Sequence, residues 1–247
     1  MNILVTGGAG FLGVKLAREL LKTELKQIVT SLVLADIAPL RDAALLADPR
    51  VRSVTGDLKA LLADALMQGI GGVFHLAAAV GVELVLSDPL RAIHTNLHET
   101  ESVLNAASKA QVPTMLTSTS EVYGKSSKVP FQEDADLVMG ATVKHRWAYA
   151  CSKALDEFLA LAYWKESKQP VIVMRFFNTV GPRQTGQYGM VVPTFVRQAL
   201  NNEPITVFGD GNQSRSFTYV GDVVGALVKL MVTPSAIGEV FNVGNTE

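Results

Sequence analysis

The segment that most constrains the fold is a glycine-rich turn, TGGAGFLG at residues 6–13, which follows the apolar run ILV and precedes a helical stretch. Three of its four glycines, Gly7, Gly10 and Gly13, are spaced three apart. In a strand, turn and helix unit, the first glycine permits a tight turn, the second lets a pyrophosphate approach the backbone, and the third lets the helix pack against the strand. Phe11 and Leu12 open the helix, whose N-terminus would face the anion. The segment therefore predicts a dinucleotide-binding turn.

Short β-branched runs alternate with longer helical stretches along most of the chain. This alternation predicts an α/β fold of the Rossmann type, with a doubly wound parallel sheet covered by helices on both faces. After about residue 176 the pattern breaks into pieces punctuated by glycine and proline. We therefore expect a nucleotide-binding domain over residues 1–175 and a smaller, intertwined substrate lobe over residues 176–247. The predicted strands are ILV at 3–5, LVLAD at 32–36, VRSV at 51–54, GVFHL at 72–76, TMLTS at 114–118 and VIVMR at 171–175. The predicted helices cover 11–22, a stretch from Pro89 behind a capping Asp88, 147–166, 191–201 and 221–231.

The composition argues against several classes of partner. With 247 residues, of which 48% are hydrophobic, the chain can bury a large core, and its net charge of −1 offers no broad basic field for nucleic acid or anionic lipid. Cys151 is the single cysteine, and the four histidines follow no metal-binding pattern, so we expect neither a disulfide nor a metal. The chain opens on a strand-like run, without a signal peptide or a membrane-spanning apolar run. A cytoplasmic protein without nucleic-acid or membrane partners is expected.

Two acids follow predicted strands where an adenosine would bind. Asp36 closes the run LVLAD at the position of a ribose-binding carboxylate, which favours NAD because it would repel the 2′-phosphate of NADP. Arg41 is close enough in sequence to keep NADP as an alternative. Asp57, followed by Leu58 in TGDL, either reaches the adenine edge or caps a helix.

The stretch YACSK at residues 149–153 places Tyr149 and Lys153 four residues apart, on one face of a predicted helix. A lysine ammonium near a tyrosine favours the phenolate and lowers the tyrosine pKa toward the working range. Such a tyrosine can take a proton from a substrate hydroxyl while hydride leaves the same carbon. The spacing alone is common, so its meaning depends on the other motifs.

Together these motifs resemble the extended branch of the short-chain dehydrogenase/reductase family, especially its nucleotide-sugar epimerases, dehydratases and decarboxylases. The resemblance covers nearly the whole chain. It is carried in order by TGGAGFLG, Asp36, HLAA at 75–78, Asn96, TSTSEVYG at 117–124, YACSK, RFFNTVGPRQ at 175–184, ITVFGDGNQSRSFTYVGDVV at 205–224 and FNVGN at 241–245.

The resemblance implies a catalytic role for Tyr149 as the base, for Lys153 as its helper and for Thr119 as the hydroxyl that holds the reacting sugar oxygen. It implies that NAD also meets Phe176 and the segment after the fourth strand, Leu76, Ala77 and Ala78. Asn96 either lies in the same crevice or braces a strand as a helix polar group. For the sugar nucleotide, the resemblance implies contacts with Ser120, Asn178, Val207, Phe208 and Arg215, the last of which would pair with the pyrophosphate.

The shared first step of these relatives is oxidation of the sugar, usually at C4, to a 4-keto intermediate. A 4-epimerase acting on a UDP-hexose or UDP-hexuronate is favoured by GPRQ at 181–184. UDP-glucuronate decarboxylase is the alternative, because Thr119, Ser120 and Glu121 together with RW at 146–147 resemble that group. Glu121 is the discriminating residue: a carboxyl group that faces the sugar bears on the step after oxidation, whereas one that binds a backbone amide favours the epimerase. Dehydratases carry an aspartate where this chain has Ser120.

Alternatives from other classes are a non-catalytic NAD-binding sensor and an NADP-dependent carbonyl reductase. The retained Tyr149 and Lys153 argue against the sensor, and Asp36 argues against the reductase. Family members usually continue beyond FNVGN, so a chain that stops at Glu247 is either a fragment or a shortened variant, and we expect an incomplete substrate lobe. Apolar positions on the helices near 97–110 and 149–163 resemble a homodimer interface of the family.

Overall fold

A computed structural model of the chain describes residues 1–22, 28–63, 66–185, 190–207 and 209–245. Nine strands lie in these ranges: β1 Asn2–Thr6, β2 Ser31–Asp36, β3 Val51–Thr55, β4 Ile70–His75, β5 Thr114–Thr119, β6 Val171–Phe176, β7 Asn178–Val180, β8 Phe217–Tyr219 and β9 Val240–Val243. Eight α-helices connect them: α1 Phe11–Leu20, α2 Ala43–Ala47, α3 Leu58–Ala63, α4 Val82–Ser87, α5 Pro89–Ala110, α6 Ala148–Ser167, α7 Val191–Leu200 and α8 Val220–Met231. The six strands and the helices expected from the sequence are confirmed.

Seven strands form one sheet in the order β3-β2-β1-β4-β5-β6-β9, and every neighbouring pair is parallel. This arrangement confirms the doubly wound Rossmann-type sheet. The strand order reverses between β1 and β4, and a crevice opens at such a point beyond the carboxyl ends of the strands. The carboxyl ends of β1, β4 and β5, at Thr6, His75 and Thr119, therefore meet at one edge.

Alternating side chains of the sheet pack against helices on its two faces. Ile3, Phe74 and Met174 point into a core cluster with α1 and α8, whereas their neighbours Leu4 and Val73 pack with α5 on the opposite face. A further cluster on that opposite face joins α5, β5, β6 and α6. Because helices cover both faces of the sheet, apolar side chains lie on both faces of these strands. These strands therefore appear in the sequence as continuous apolar runs.

The longest helix, α5, begins and ends as its sequence predicts. Asp88 accepts a hydrogen bond from the Arg91 backbone amide at 3.1 Å, and Pro89 occupies the first turn. Gln111 ends the helix in the left-handed conformation with φ of 52°. This long, well-capped helix lies beside α6, which carries the YACSK motif.

The chain leaves the large sheet after β6 and then returns to it. β7 and β8 form a separate two-stranded parallel sheet, and α7 lies between them in sequence. Helix α8 then packs on α1, and β9 pairs with β6. The 176–247 range expected as a substrate lobe therefore contributes one helix and one strand to the nucleotide-binding core. Among the described residues, no helix combines the length and the apolar character needed to cross a bilayer.

Candidate active site

The glycine-rich turn is fixed by close backbone contacts. Gly7 has φ of +69°, and a Cβ atom there would lie 2.8 Å from the Ala77 backbone nitrogen, so both conformation and space require glycine. A Cβ atom at Gly13 would overlap the Gly7 carbonyl oxygen, which corrects the expected packing of this glycine: it lets α1 close onto the turn itself rather than onto the strand. Gly8 is not singled out by the sequence pattern, but a Cβ atom there would lie only 2.8 Å from the Leu34 Cβ atom.

The N-terminus of α1 is open to an anion. Gly10 caps the helix without a side chain, and its amide donates to the Gly7 carbonyl oxygen at 3.1 Å. The first-turn amides, at Phe11 and Leu12, have no intrahelical carbonyl partner, as at any helix start. A bare backbone cradle with free amides fits a pyrophosphate.

Asp36 is held beside this turn at the carboxyl end of β2. Its carboxylate accepts hydrogen bonds from the Ala9 amide at 3.0 Å and from the Ala38 amide at 2.9 Å. These two bonds fix the position of the negative charge next to the glycine turn. The placement fits the ribose hydroxyls of NAD and disfavours a 2′-phosphate.

Asp57 and Leu58 lie at the start of α3. The Asp57 carboxylate accepts a hydrogen bond from the Ala60 amide at 3.0 Å, so Asp57 acts as the helix cap that the sequence left open. Leu58 is buried in the core with Leu4.

Sequence reasoning missed Glu99, which lies on α5 near both acids. Burial and the charges of Asp57 and Asp36 raise the pKa of Glu99 to about 7. The adenosine side of the cleft therefore carries three carboxyl groups, which further disfavours a phosphorylated ribose.

The segment after β4 runs beneath the crevice. The Leu76 amide donates to the Thr6 carbonyl oxygen at 3.1 Å, and the Ala77 amide donates to the Thr6 hydroxyl at 3.3 Å. These bonds hold Leu76, Ala77 and Ala78 partly exposed against the glycine turn. The small alanines leave room for a ligand above them.

Asn96 is a brace rather than an open cleft residue. It is buried on α5, and its side-chain oxygen accepts a hydrogen bond from the Ala79 amide at 2.7 Å. Its amide nitrogen donates to the Ala79 carbonyl oxygen at 3.3 Å and to the Ser152 hydroxyl at 3.2 Å. These contacts support the bracing interpretation and fix the spacing between α5 and α6.

Thr119 and Tyr149 meet where β5 ends and α6 begins. Thr119 pairs in register with Phe176 at the end of β6, and its hydroxyl accepts a hydrogen bond from the Glu121 amide at 3.2 Å. The same hydroxyl lies within hydrogen-bonding reach of Tyr149. Burial and then the charge of Glu121 raise the pKa of Tyr149 well above its ordinary value, and the Thr119 hydroxyl opposes this rise. These surroundings favour the protonated form of Tyr149.

Lys153 follows one turn later on α6 and is 2% exposed. Its ammonium donates to an Asp156 carboxylate oxygen at 2.7 Å, and Asp156 is itself fully buried. The YACSK spacing predicts Lys153 near Tyr149, whereas no motif in the sequence singles out Asp156. An acid three residues after a lysine on a helix predicts an ion pair between the two side chains. The sequence does not show that this pair is buried.

Glu121 lies in the short 3-10 helix Ser120–Tyr123. Loss of hydration raises the pKa of Glu121, and the charges of Arg146 and Arg215 oppose that rise. Among the described residues, no backbone amide donates to the Glu121 carboxylate, and its charge acts on Tyr149. The Glu121 side chain therefore belongs to the catalytic cleft.

The residues expected to hold the sugar nucleotide either hydrogen-bond to nearby backbone carbonyl groups or are at least partly exposed to solvent. Asn178 donates to the Ser216 carbonyl oxygen at 3.0 Å, and Arg215 donates to the Ser214 carbonyl oxygen at 2.7 Å. Val207 is exposed and Ser120 is partly buried. Phe208 lies outside the described residues. Of this set, Arg215 is the residue whose charge reaches Glu121, so the second lobe contributes a cation to the cleft.

The doubly wound parallel sheet and the glycine-rich turn that precedes α1 define the class: an α/β protein of the Rossmann type. Residues 3–244 match the model of the NAD dependent epimerase/dehydratase family. The chain belongs to this family and is an NAD-dependent enzyme.

Curated relatives and a solved structure agree with this assignment. The chain is 38% identical to UDP-N-acetyl-alpha-D-glucosaminuronate decarboxylase of Bacillus cytotoxicus, over 99% of this chain and 75% of that protein. It is 34% identical to UDP-glucuronic acid decarboxylase 1 of Arabidopsis thaliana, over 99% of this chain and 54% of that protein. It superposes with a TM-score of 0.87 and 32% identity on UDP-glucuronic acid 4-epimerase from Bacillus cereus, solved with UDP-glucuronic acid and NAD. That superposition covers 100% of this chain and 78% of the other.

Proposed function

We propose that this enzyme oxidises C4 of a UDP-linked hexuronate and decarboxylates the resulting 4-keto intermediate. The observation that carries the proposal is Glu121, whose carboxyl group is engaged by no described backbone amide and acts on Tyr149, beside Arg146 and Arg215. An acid in that place serves a step after oxidation. The similarity to hexuronate decarboxylases of two organisms supports the same reaction.

Each residue of the cleft has a role in the oxidation. NAD, when bound, accepts hydride from the sugar carbon. The glycine turn with Phe11 and Leu12 would hold its pyrophosphate, Asp36 its ribose, and the Leu76 to Ala78 segment with Phe176 its nicotinamide side. Thr119 holds the C4 hydroxyl oxygen and Tyr149 removes its proton. Lys153 supplies the positive charge that favours the tyrosine phenolate.

The second step follows from the chemistry of a β-keto acid. With a ketone at C4, the bond between C5 and the carboxylate carbon breaks and carbon dioxide leaves. The electron pair of the broken bond is delocalised onto the C4 oxygen and forms an enolate. Collapse of the enolate requires a proton at C5, which we assign to the Glu121 carboxyl group because Glu121 is the acid whose charge acts on Tyr149 from the end of β5. We assign attraction of the substrate carboxylate to Arg146, because the charge of Arg146 acts on Glu121.

A 4-epimerase is the second candidate function. It is favoured by the structural similarity to the hexuronate 4-epimerase of B. cereus and by the GPRQ segment. In that reaction the 4-keto sugar rotates and hydride returns to its opposite face, so carbon dioxide is not released and Glu121 is not required.

One experiment separates the two reactions. The purified enzyme with NAD is given UDP-glucuronate, UDP-N-acetylglucosaminuronate or neutral UDP-glucose, and products are identified by NMR. A UDP-pentose or UDP-4-keto-pentose with release of carbon dioxide supports decarboxylation. A UDP-galacturonate product that keeps its carboxylate supports epimerisation. Turnover of UDP-glucose alone contradicts the hexuronate proposal, and Tyr149→Phe is the inactive control.

We also infer that residues 1–175 bind NAD and residues 176–247 bind the sugar nucleotide, and that two chains associate through α5 and α6. Phe158 and Leu155 lie on α6 with side chains that are 66% and 49% exposed, and unpaired apolar groups of this size favour burial in an interface. Sedimentation is expected to show a dimer that Phe158→Glu converts to monomer. A monomer for the unmodified chain at micromolar concentration would contradict the pairing.

A further inference from the structure

A row of buried polar side chains crosses the molecule beneath the cleft. The Thr6 hydroxyl and the His75 Nδ1 atom are 2.7 Å apart, and the His75 Nε2 atom and the Thr100 hydroxyl are 3.1 Å apart. Burial and then the charge of Lys153 lower the pKa of His75 to about 3, so this histidine is neutral. The row joins β1, β4 and α5, and its last member lies beside Asp156 on α6.

Asp156 connects this row to Lys153. One carboxylate oxygen accepts a hydrogen bond from the Lys153 ammonium at 2.7 Å, and the Thr100 hydroxyl lies beside the same carboxyl group. Burial raises the pKa of Asp156, while Lys153 and the Thr100 hydroxyl oppose that rise. Burying a carboxylate and an ammonium together costs free energy that an apolar pair would avoid, so fold stability alone does not account for this pair.

We propose that Asp156 is a positioning residue: it holds the Lys153 ammonium between α5 and α6 and partly cancels its charge, which sets the pH range in which Tyr149 works. This inference rests on the proposed function, because it assigns the base role to Tyr149. Asp156 touches neither the substrate nor the cofactor in the proposal, and it acts through Lys153.

The charges around Tyr149 come from two elements. Glu121 approaches from the 3-10 helix after β5 and Asp156 approaches from α6, and both acids raise the tyrosine pKa. Because Lys153 and Asp156 have opposite charges at 2.7 Å, their combined field at Tyr149 is weaker than that of the lysine alone.

Substitutions at one position separate charge from placement. Asp156→Asn removes the charge and keeps an oxygen that can accept the ammonium. We expect the acidic limb of its kcat/KM profile to move down by about one pH unit. Asp156→Ala also removes the acceptor, and a displaced lysine is expected to lower kcat about 100-fold while KM for the sugar nucleotide stays within about twofold. Asp156→Glu is expected to restore the unmodified pH profile. Asp48→Asn, which removes a carboxylate that pairs with Arg50 outside the cleft, is the matched control and keeps the wild-type profile.

A stability measurement tests the pair without turnover. Urea midpoints are compared for Asp156→Asn, Lys153→Met and the double variant. Each single variant is expected to lose stability and the double variant to regain most of it, because a lone buried charge costs more than none. The effects of the two substitutions on the urea midpoint could be non-additive while the acidic limb of the kcat/KM profile of Asp156→Asn stays in place. In that case the pair is only structural and the proposal is wrong. An absence of coupling also overturns it. Should no hexuronate be turned over by the unmodified enzyme, the proposed function fails, and the midpoints still report on the pair.

Discussion

The two halves of the cleft are built in different ways. In the cofactor half, backbone atoms do most of the work: Gly7 fits against Ala77, and Asp36 is fixed by two backbone amides. In the substrate half, Asn178 and Arg215 project from short strands and turns, and each donates to a carbonyl oxygen of its own neighbourhood. The first half is formed before any ligand arrives, whereas the second must exchange local bonds for ligand bonds.

The largest expected effect comes from a methyl group in the cofactor half. Gly13→Ala places a Cβ atom against the Gly7 carbonyl oxygen and the Gly8 backbone, so the turn must move. We expect NAD affinity to fall about 100-fold, measured by calorimetric titration. Gly225→Ala in α8 is the matched control, because a Cβ atom there meets no atom within 4 Å, and it should bind NAD normally. Equal binding by both variants would show that the turn is not preformed.

The next effect comes from removing a cation in the substrate half. Arg215→Ala deletes the guanidinium expected to pair with the sugar pyrophosphate, so KM for the sugar nucleotide should rise about 10- to 100-fold. NAD affinity should stay unchanged, since the cofactor half does not depend on Arg215. Arg52→Ala, an exposed arginine on β3, is the control in the same steady-state assay. An equal loss of NAD affinity in Arg215→Ala would show that cofactor binding depends on the substrate half.

A smaller, pH-dependent effect is expected at Glu99. Its pKa rises from 4.5 to about 7 on folding, so between these values the folded chain binds more protons than the unfolded chain. Stability from this group is therefore present below pH 4.5 and is lost as the pH rises to about 7. Glu99→Gln should remove that loss and gain about 1–2 kcal/mol at pH 8 relative to pH 4, measured by urea unfolding. A constant difference between the two proteins across this range would contradict the acidic cluster.

The smallest effect is expected at the ion pair that links the halves. Arg183, from the loop after β7, lies 2.6 Å from the Asp42 carboxylate, which also binds Arg18 at 2.8 Å. Because Arg183 is half exposed, Arg183→Ala should cost about 0.5–1 kcal/mol in urea unfolding. The double variant with Arg18→Ala should cost more than the sum of the singles, because buried Asp42 then lacks both cations. If the losses of the two single variants simply add, the Asp42 carboxylate gains water when both arginines are removed.

Local sequence patterns predicted most of the fold and the parts of the site that depend on it. The turn between β1 and α1 and the Asp88 cap each depend on neighbours within a few residues, and the structure bears them out. The bond that fixes Asp36 beside the turn comes from Ala9, 27 residues away. Glu99 and Asp156 were not found, because their environment depends on how α5 and α6 are rotated toward the sheet. Asn96 shows the same limit: its residue type was noted, but its role as a brace follows from contacts with Ala79 and Ser152.

The return of the chain to the large sheet has a consequence for synthesis on the ribosome. Val220, Val223 and Val224 of α8 share one core cluster with Ile3 and Val5 of the first strand. A nascent chain that has reached only β6 therefore leaves an apolar face of its central strand uncovered. Residues 1–175 cannot complete this core until α8 has been synthesised. A fragment ending at residue 175 should accordingly aggregate or recruit chaperones, and adding residues 176–247 as a second polypeptide should rescue it.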